Sequence, residues 1–286
     1  MIISKLKLAL TGIVVVFIFS SCENISELEV TEPISAEETI ALLEVDDIGD
    51  EVNNIIDDYL YVDINTGAKG VAEKSHTNLD CLIKTVVWNG NSKTVTLDFG
   101  EFCELPNGHV LSGKVIISYV FDSEAKTITV TQLFDGFTFN GNTVEGGSTI
   151  IRFKEGENGN PQSIRTFDVT VTWPDGEFIH RAGTKKRDWI EGFGTGTWGD
   201  NVFLISGSWT STFKNGTVFT KLISEEKPLR REMACRFIVS GIMEITKGTQ
   251  SGMLDFGDGS CDNKAWFTKS NDPDNPVEII LKKRKH

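Results

Sequence analysis

Acidic side chains crowd the C-terminal part of the chain, where Asp255, Asp258, Asp262 and Asn263 fall within nine residues. Oxygen ligands at that density are what a calcium ion needs. The spacing is not that of an EF-hand loop, and no bidentate Glu follows at the required place. Turn-stabilising Asx side chains account for the same cluster, so no metal is expected. Gly194, Gly196 and Gly199 have the spacing of a dinucleotide-binding loop. Such a loop needs a helix after it, whose N-terminus meets the pyrophosphate. Here the strand-like run Val202-Phe203-Leu204-Ile205 follows. His76, His109, His180 and His286 lie far apart, with no Gly-x-Ser-x-Gly or His-Glu-x-x-His context. Distant carboxylate pairs could serve a glycosidase, but any acidic chain offers them. No catalytic residue and no cofactor is implied, and an enzyme is not expected. The remaining candidates are aromatic. Trp189 and Trp198 flank the glycine-rich stretch 192–199, and Trp173 precedes the Pro174-Asp175-Gly176 turn. Indole faces at loop ends stack on sugars or other flat ligands, whereas Trp88 and Trp209, within strand-like runs, belong to the core.

The elements that must position these residues are strands. Val95, Leu97 and Phe99 alternate with Thr94, Thr96 and Asp98, and Phe167, Val169, Val171 and Trp173 alternate with Asp168, Thr170 and Thr172. Turn signals separate such runs at Asn89-Gly90, Asn140-Gly141, Asn215-Gly216 and Lys247-Gly248. No helical pattern intervenes, which excludes βαβ units. The expectation over residues 76–286 is a mainly β domain, an antiparallel meander of about 12 strands. Sandwich, half-barrel and barrel remain open.

Cys81, Cys103, Cys235 and Cys261 add a constraint. The midpoint of the first two is Ser92, beside the Asn89-Gly90 turn, and that of the second two is Gly248. Each pair therefore lies at the open end of one hairpin, strand opposite strand, where Cβ atoms approach closely enough to bridge. Of the three connectivities four cysteines allow, 81–103 with 235–261 is favoured over reduced thiols or a metal site.

Upstream of the strands the character changes. Between Glu23 and Asp63 there are 14 acids and no Lys or Arg, whereas from Ile64 onward acids and bases nearly balance at 27 and 26. Ser35-x-x-Glu38 reads as a capping box. Ile48, Val52, Ile55 and Tyr59 then form a helical stripe, expected to pack on the β domain. Asp46, Asp47, Asp50, Asp57 and Asp58 fill much of the opposite face, and the acidity is expected to hold this arm in solvent. Gly49 is a candidate break into two shorter helices. The expected division is a short acidic helical arm with its loop over 35–75, preceded by a tether over 22–34. Nucleic-acid binding needs clustered cations. Only Lys282-Lys283-Arg284-Lys285 qualifies, as a solvated tail, and a nucleic-acid partner is excluded.

The first 21 residues carry Lys5 and Lys7, an uncharged apolar run from Leu8 to Phe19, then Ser20-Ser21 before Cys22. A basic start, a short apolar core and small residues describe a secretory signal. Its ending resembles the lipobox of bacterial lipoproteins, with Phe19 where the pattern prefers Leu, Val or Ile. The resemblance implies lipidation at Cys22 and membrane attachment through the N-terminal lipid. Glu23 after the cysteine resembles outer-membrane sorting. Removal of the leader leaves 265 residues, enough for one large β domain, outside the cytoplasm, where the cysteines should oxidise.

Three further segments carry a family resemblance: Thr96-Leu-Asp-Phe-Gly-x-x-Cys103; Asn107-Gly108 with Ser112-Gly113-Lys114-Val-Ile-Ile117; and Leu254-Asp-Phe-Gly-Asp-Gly-Ser-Cys-Asp-Asn263. They resemble outer-membrane lipoproteins of the Bacteroidota type, a family with no assigned activity. The Asp-Phe-Gly-Asp-Gly string also resembles a motif of polycystic-kidney-disease-type adhesion repeats, without the rest of that module. The resulting expectation is a lipid-anchored outer-membrane lipoprotein, on either face, acting as a non-enzymatic binding or structural module of the cell envelope. Two alternatives stand beside it. One is a carrier holding an apolar ligand or lipid in a curved sheet, with the arm helix as plug. The other is glycan capture through Trp173, Trp189 and Trp198. An envelope protein is the third kind of partner.

Overall fold

In the computed structural model, residues 32–64, 79–106, 108–156 and 158–281 are described, with backbone alone at 56–64 and Trp198. Cys22 and its leader lie outside the described residues. Alternation of apolar and polar residues produces one antiparallel sheet of fifteen strands. The first group is β1 (Ile83–Asn89), β2 (Ser92–Asp98), β3 (Cys103–Glu104), β4 (Val110–Asp122) and β5 (Thr127–Phe139). Next come β6 (Asn142–Phe153), β7 (Gln162–Thr172), β8 (Phe178–Glu191), β9 (Val202–Phe213) and β10 (Val218–Ile223). The last are β11 (Leu229–Glu232), β12 (Ile238–Lys247), β13 (Gln250–Asp258), β14 (Lys264–Lys269) and β15 (Asp272–Ile280). Strands β4 to β10 are a pure meander. Strand β11 bridges β9 and β12, and β3 pairs with β4. These two short pieces account for two of the three strands beyond the expected twelve. Among the described residues no ladder joins β1 to β15.

The arm is one helix, α1 (Ala36–Ile64). Its capping box forms as expected: the Glu38 amide donates to Ser35 Oγ at 3.1 Å, and the Ser35 amide to Glu38 Oε2 at 2.9 Å. Gly49 does not break it. A single glycine costs a helix only about 1 kcal/mol, and tertiary packing outweighs that here. Ile48, Val52 and Ile55 are buried as the stripe predicts, together with Ile34, Leu42 and Val45. The side chain of Tyr59 and the loop after 64 lie outside the described side chains and residues.

The polar face overturns the expectation of an arm held in solvent. From Leu42 to Ile55 no residue of the helix is exposed, and Asp46, Glu51 and Asn53 are buried. A helix covered on every side requires the sheet to curl around it. Its contacts accordingly come from strands far apart in the meander: Lys185 on β8, Lys221 on β10 and Lys247 on β12 all reach it. The helix is part of the β core.

Both disulfides form as the hairpin geometry predicts. Cys81–Cys103 and Cys235–Cys261 have Cα separations of 5.3 and 5.7 Å, each beyond the open end of its hairpin, β1–β2 or β12–β13. Trp209 is buried as expected, but Trp88 is 63% exposed. Strand β1 ends the sheet and every one of its residues is exposed, so its indole lies outside the core. Strand β15 ends the other side. Its Pro273 and Pro276 are tolerated there because an edge strand leaves one row of amides outside the ladder.

Candidate functional site

Charged groups on α1 meet charged groups on the inner face of the sheet. Asp46 accepts from Arg181 Nη2 at 2.5 Å, from Lys221 Nζ at 2.8 Å and from the Trp209 indole at 3.1 Å. One turn later Asp50 takes Lys185 Nζ at 3.0 Å. Glu38 holds Lys247 at 2.6 Å, and Glu51 lies 3.4 Å from His109 Nε2. Two glycines make room for the centre of this cluster. A Cβ on Gly49 would lie 2.3 Å from Arg181 Nη1, and one on Gly183 would lie 2.4 Å from Trp209 Cβ. Burial pushes the Asp46 carboxyl up, but Arg181, Lys221 and Lys185 outweigh it and hold the group below its usual range. Burial drives Lys221 down. Asp46 raises it and Arg181 lowers it again, leaving it at about 7.

The cations continue along the sheet into a pocket. On β8, Arg181, Lys185, Arg187 and Trp189 share the inner face by the period-two rule. The first two engage the helix, and the last two line a cavity of about 540 Å³ together with Lys185. Register places the remaining walls. Across β5 to β9, one row reads Ile128, Arg152, Ser163, Arg187, Ile205, and the row beside it reads Val130, Ile150, Arg165, Lys185, Gly207. Arg152 and Arg187 are thus the register partners of Ser163 on the flanking strands, and Arg165 lies two residues along on β7.

Aromatic rings close the next row. Trp189 pairs with Phe203, their ring centres 5.3 Å apart, and Phe193 stands edge-on to Trp189 at 4.9 Å. The Trp189 N–H is bound to Glu191 O and Asn201 Oδ1, which fixes the ring plane. Arg187 lies 3.5 Å over the Phe203 ring. Exposed Lys126, Lys154 and Phe193 form the rim, while Ile150, Phe203 and Arg231 are buried. Among the described residues, seven basic ones and one acid, Asp50, line the pocket. The chain as a whole carries −13, so this concentration runs against its average.

Of the tryptophans expected to bind ligand, Trp189 lines the pocket, whereas Trp173 is half-buried against the core and absent from the pocket wall. The Trp198 side chain lies outside the described ones. Asp255, Asp258 and Asp262 each accept from a backbone amide two residues on, Gly257, Ser260 and Lys264, the Asx turns expected of them. The glycine-rich stretch connects β8 to β9 through a single 3-10 turn, Trp198–Asp200, with strand on both sides as expected. Sequence reasoning missed Arg152, Arg165 and Arg187. The available signal was the odd-numbered series Arg181, Lys185, Arg187, Trp189, which shares its parity with apolar Ile179. Comparison with known proteins finds no match among family models, curated proteins or solved structures.

Proposed function

We propose that this chain is an outer-membrane lipoprotein, anchored through Cys22, whose curled sheet holds a small ligand in the pocket between β5 and β9. It acts by binding and not by chemistry. The observation that carries the reading is the pocket itself, about 540 Å³ on the inner face of the sheet, within the range of about 300–1,000 Å³ typical of small-molecule sites. Buried Arg231 sets its depth. The Arg231 guanidinium is anchored on the carbonyls of Glu232, Cys235 and Phe237, so this wall is rigid before any ligand arrives. The helix contributes Asp50, Asn53 and Asn54 to the lining. It therefore forms one side of the site as well as filling the core, which modifies the idea of a removable plug.

The anchor and the envelope location rest on the leader, the cysteine after it and the resemblance to Bacteroidota-type lipoproteins. Native mass spectrometry of protein extracted gently from its own membrane tests both parts. The expected result is an acylated, doubly oxidised chain carrying extra mass that leaves on unfolding. Ser163→Trp, which fills the middle of the arginine row, should keep the acyl mass and lose the extra one. Equal masses for both proteins, with melting curves unchanged, would remove the pocket as a ligand site.

A further inference from the structure

We infer that strand β1 docks a second copy of this chain, the two β1 strands pairing antiparallel about Val86 so that two sheets join into one. The inference is independent of the pocket. Its first support is the contrast between the two outer strands of the sheet. Strand β15 carries Pro273 and Pro276 with Asp272, Asp274 and Glu278, the prolines and charges that keep an edge from pairing. Strand β1, Ile83-Lys84-Thr85-Val86-Val87-Trp88-Asn89, has no proline, no acid and a single cation. Its β-branched and aromatic residues are those that strands favour. Ile83, Val86, Val87 and Trp88 are between 41 and 66% exposed. An apolar edge of this kind is a template for another strand.

The second support is the direction of the backbone groups. Asn89 and Ser92 flank the two-residue Gly90-Asn91 turn and pair with each other. The alternation of an antiparallel ladder therefore turns Ile83, Thr85, Val87 and Asn89 toward β2, and Lys84, Val86 and Trp88 toward the edge. Among the described residues no other strand pairs with β1. Val86 is both the middle residue of the strand and one that points outward, so a two-fold axis there pairs β1 along its whole length. Val86 then meets the second copy's Val86, Thr85 meets Val87, Lys84 meets Trp88 and Ile83 meets Asn89. The lysine stands opposite an indole and not opposite its own equivalent, so no like charges face each other. Lys84, Val86 and Trp88 also share the inner face, across from buried Leu97, Val95 and Lys93, and that face would run on from one copy into the next. The occupant is a second copy because β1 itself meets these demands of register, face and charge. The Cys81–Cys103 bridge ties the chain two residues before β1, so the strand is held before its partner arrives, which lowers the ordering cost of pairing.

The test is sedimentation of the full chain in detergent across the micromolar range, where wild type should pass from monomer to dimer. Val86→Pro removes an outward N–H and leaves the β1–β2 ladder in place, since an edge strand tolerates proline there. It should stay monomeric with an unchanged melting curve. Val86→Cys should form a disulfide between copies under mild oxidation, because Cα atoms of a hydrogen-bonded antiparallel pair lie about 5.5 Å apart, within disulfide reach. Thr85→Cys, which faces Val87, should not. Wild type monomeric throughout, as it would be if the edge takes a strand of another protein, would overturn the inference. So would a dimer that Val86→Pro leaves whole, or equal cross-linking by the two cysteine variants. Should Val86→Pro fail to fold, the cysteine variants decide alone.

Discussion

Asp46 is ionised in the interior because two cations and an indole N–H converge on its two oxygens. Removing its charge leaves the buried Arg181 guanidinium without compensation, which in comparable sites costs about 3–5 kcal/mol. Asp46→Asn is therefore expected to lower the unfolding free energy by that amount in urea melts at pH 8, with a near-unchanged m-value. Lys221 behaves differently, because Asp46 keeps Arg181 and Trp209 when it is removed. Its folded value near 7 lies below the ordinary 10.5. Between those values the unfolded chain binds the extra proton, so stability from this group rises with pH, by up to about 1.4 kcal/mol per unit. Below about 7 the lysine is protonated in both states and that contribution is absent. Comparing wild type with Lys221→Met from pH 7 to 9.5 should show a difference growing in favour of the wild type. A flat difference would mean that Lys221 stays charged in the fold. Asp46 has the same sign in a lower window: its lowered value adds stability above about 3.9 that is lost as pH falls through the folded value.

At the scale of elements, hairpins and helix differ in what holds them. The β1–β2 hairpin has its exposed strand on the outer edge of the sheet, where among the described residues it pairs only with β2. The Cys81–Cys103 bridge closes its open end, across a separation of 22 residues. The Cys235–Cys261 bridge does the same for β12–β13 across 26 residues, but there both strands have further partners on either side. Closing loops of this size stabilises by about 3 kcal/mol in the chain-entropy model. Replacing either pair by serine should cost about that much globally. Hydrogen exchange should separate the two: loss of 81–103 frees the β1 amides selectively, and loss of 235–261 changes protection throughout. Helix α1 has no covalent tie of this kind. Its acids Glu38, Asp46 and Asp50 each find a basic partner on the sheet, and Glu51 meets His109 just before β4, so polar complementarity sets its position and the apolar stripe supplies the burial.

For the whole molecule the consequence is a core organised around a charged helix, with a cationic pocket at its side in a chain of net charge −13. Much of the architecture was legible beforehand. The antiparallel meander follows from alternation in runs such as Thr94–Phe99, and both disulfides follow from turns midway between paired cysteines. The capping box at Ser35 and Glu38 is likewise a local pattern. Residues whose burial depends on position within the sheet were not legible: Trp88 has a strand-core pattern yet lies on an edge strand, and Asp46 looks like a solvated face. The pocket was invisible for the same reason, since Arg152, Arg165 and Arg187 are ordinary basic residues until register aligns them. Amino-acid order alone determined what arises between near neighbours, namely strand alternation, hairpin turns, the bridges across them and the helix start. Tertiary structure decided which face of the helix is buried and where the cations converge. Asp46 meets Lys221 across 175 residues of chain, and that distance is closed only when the sheet curls around the helix.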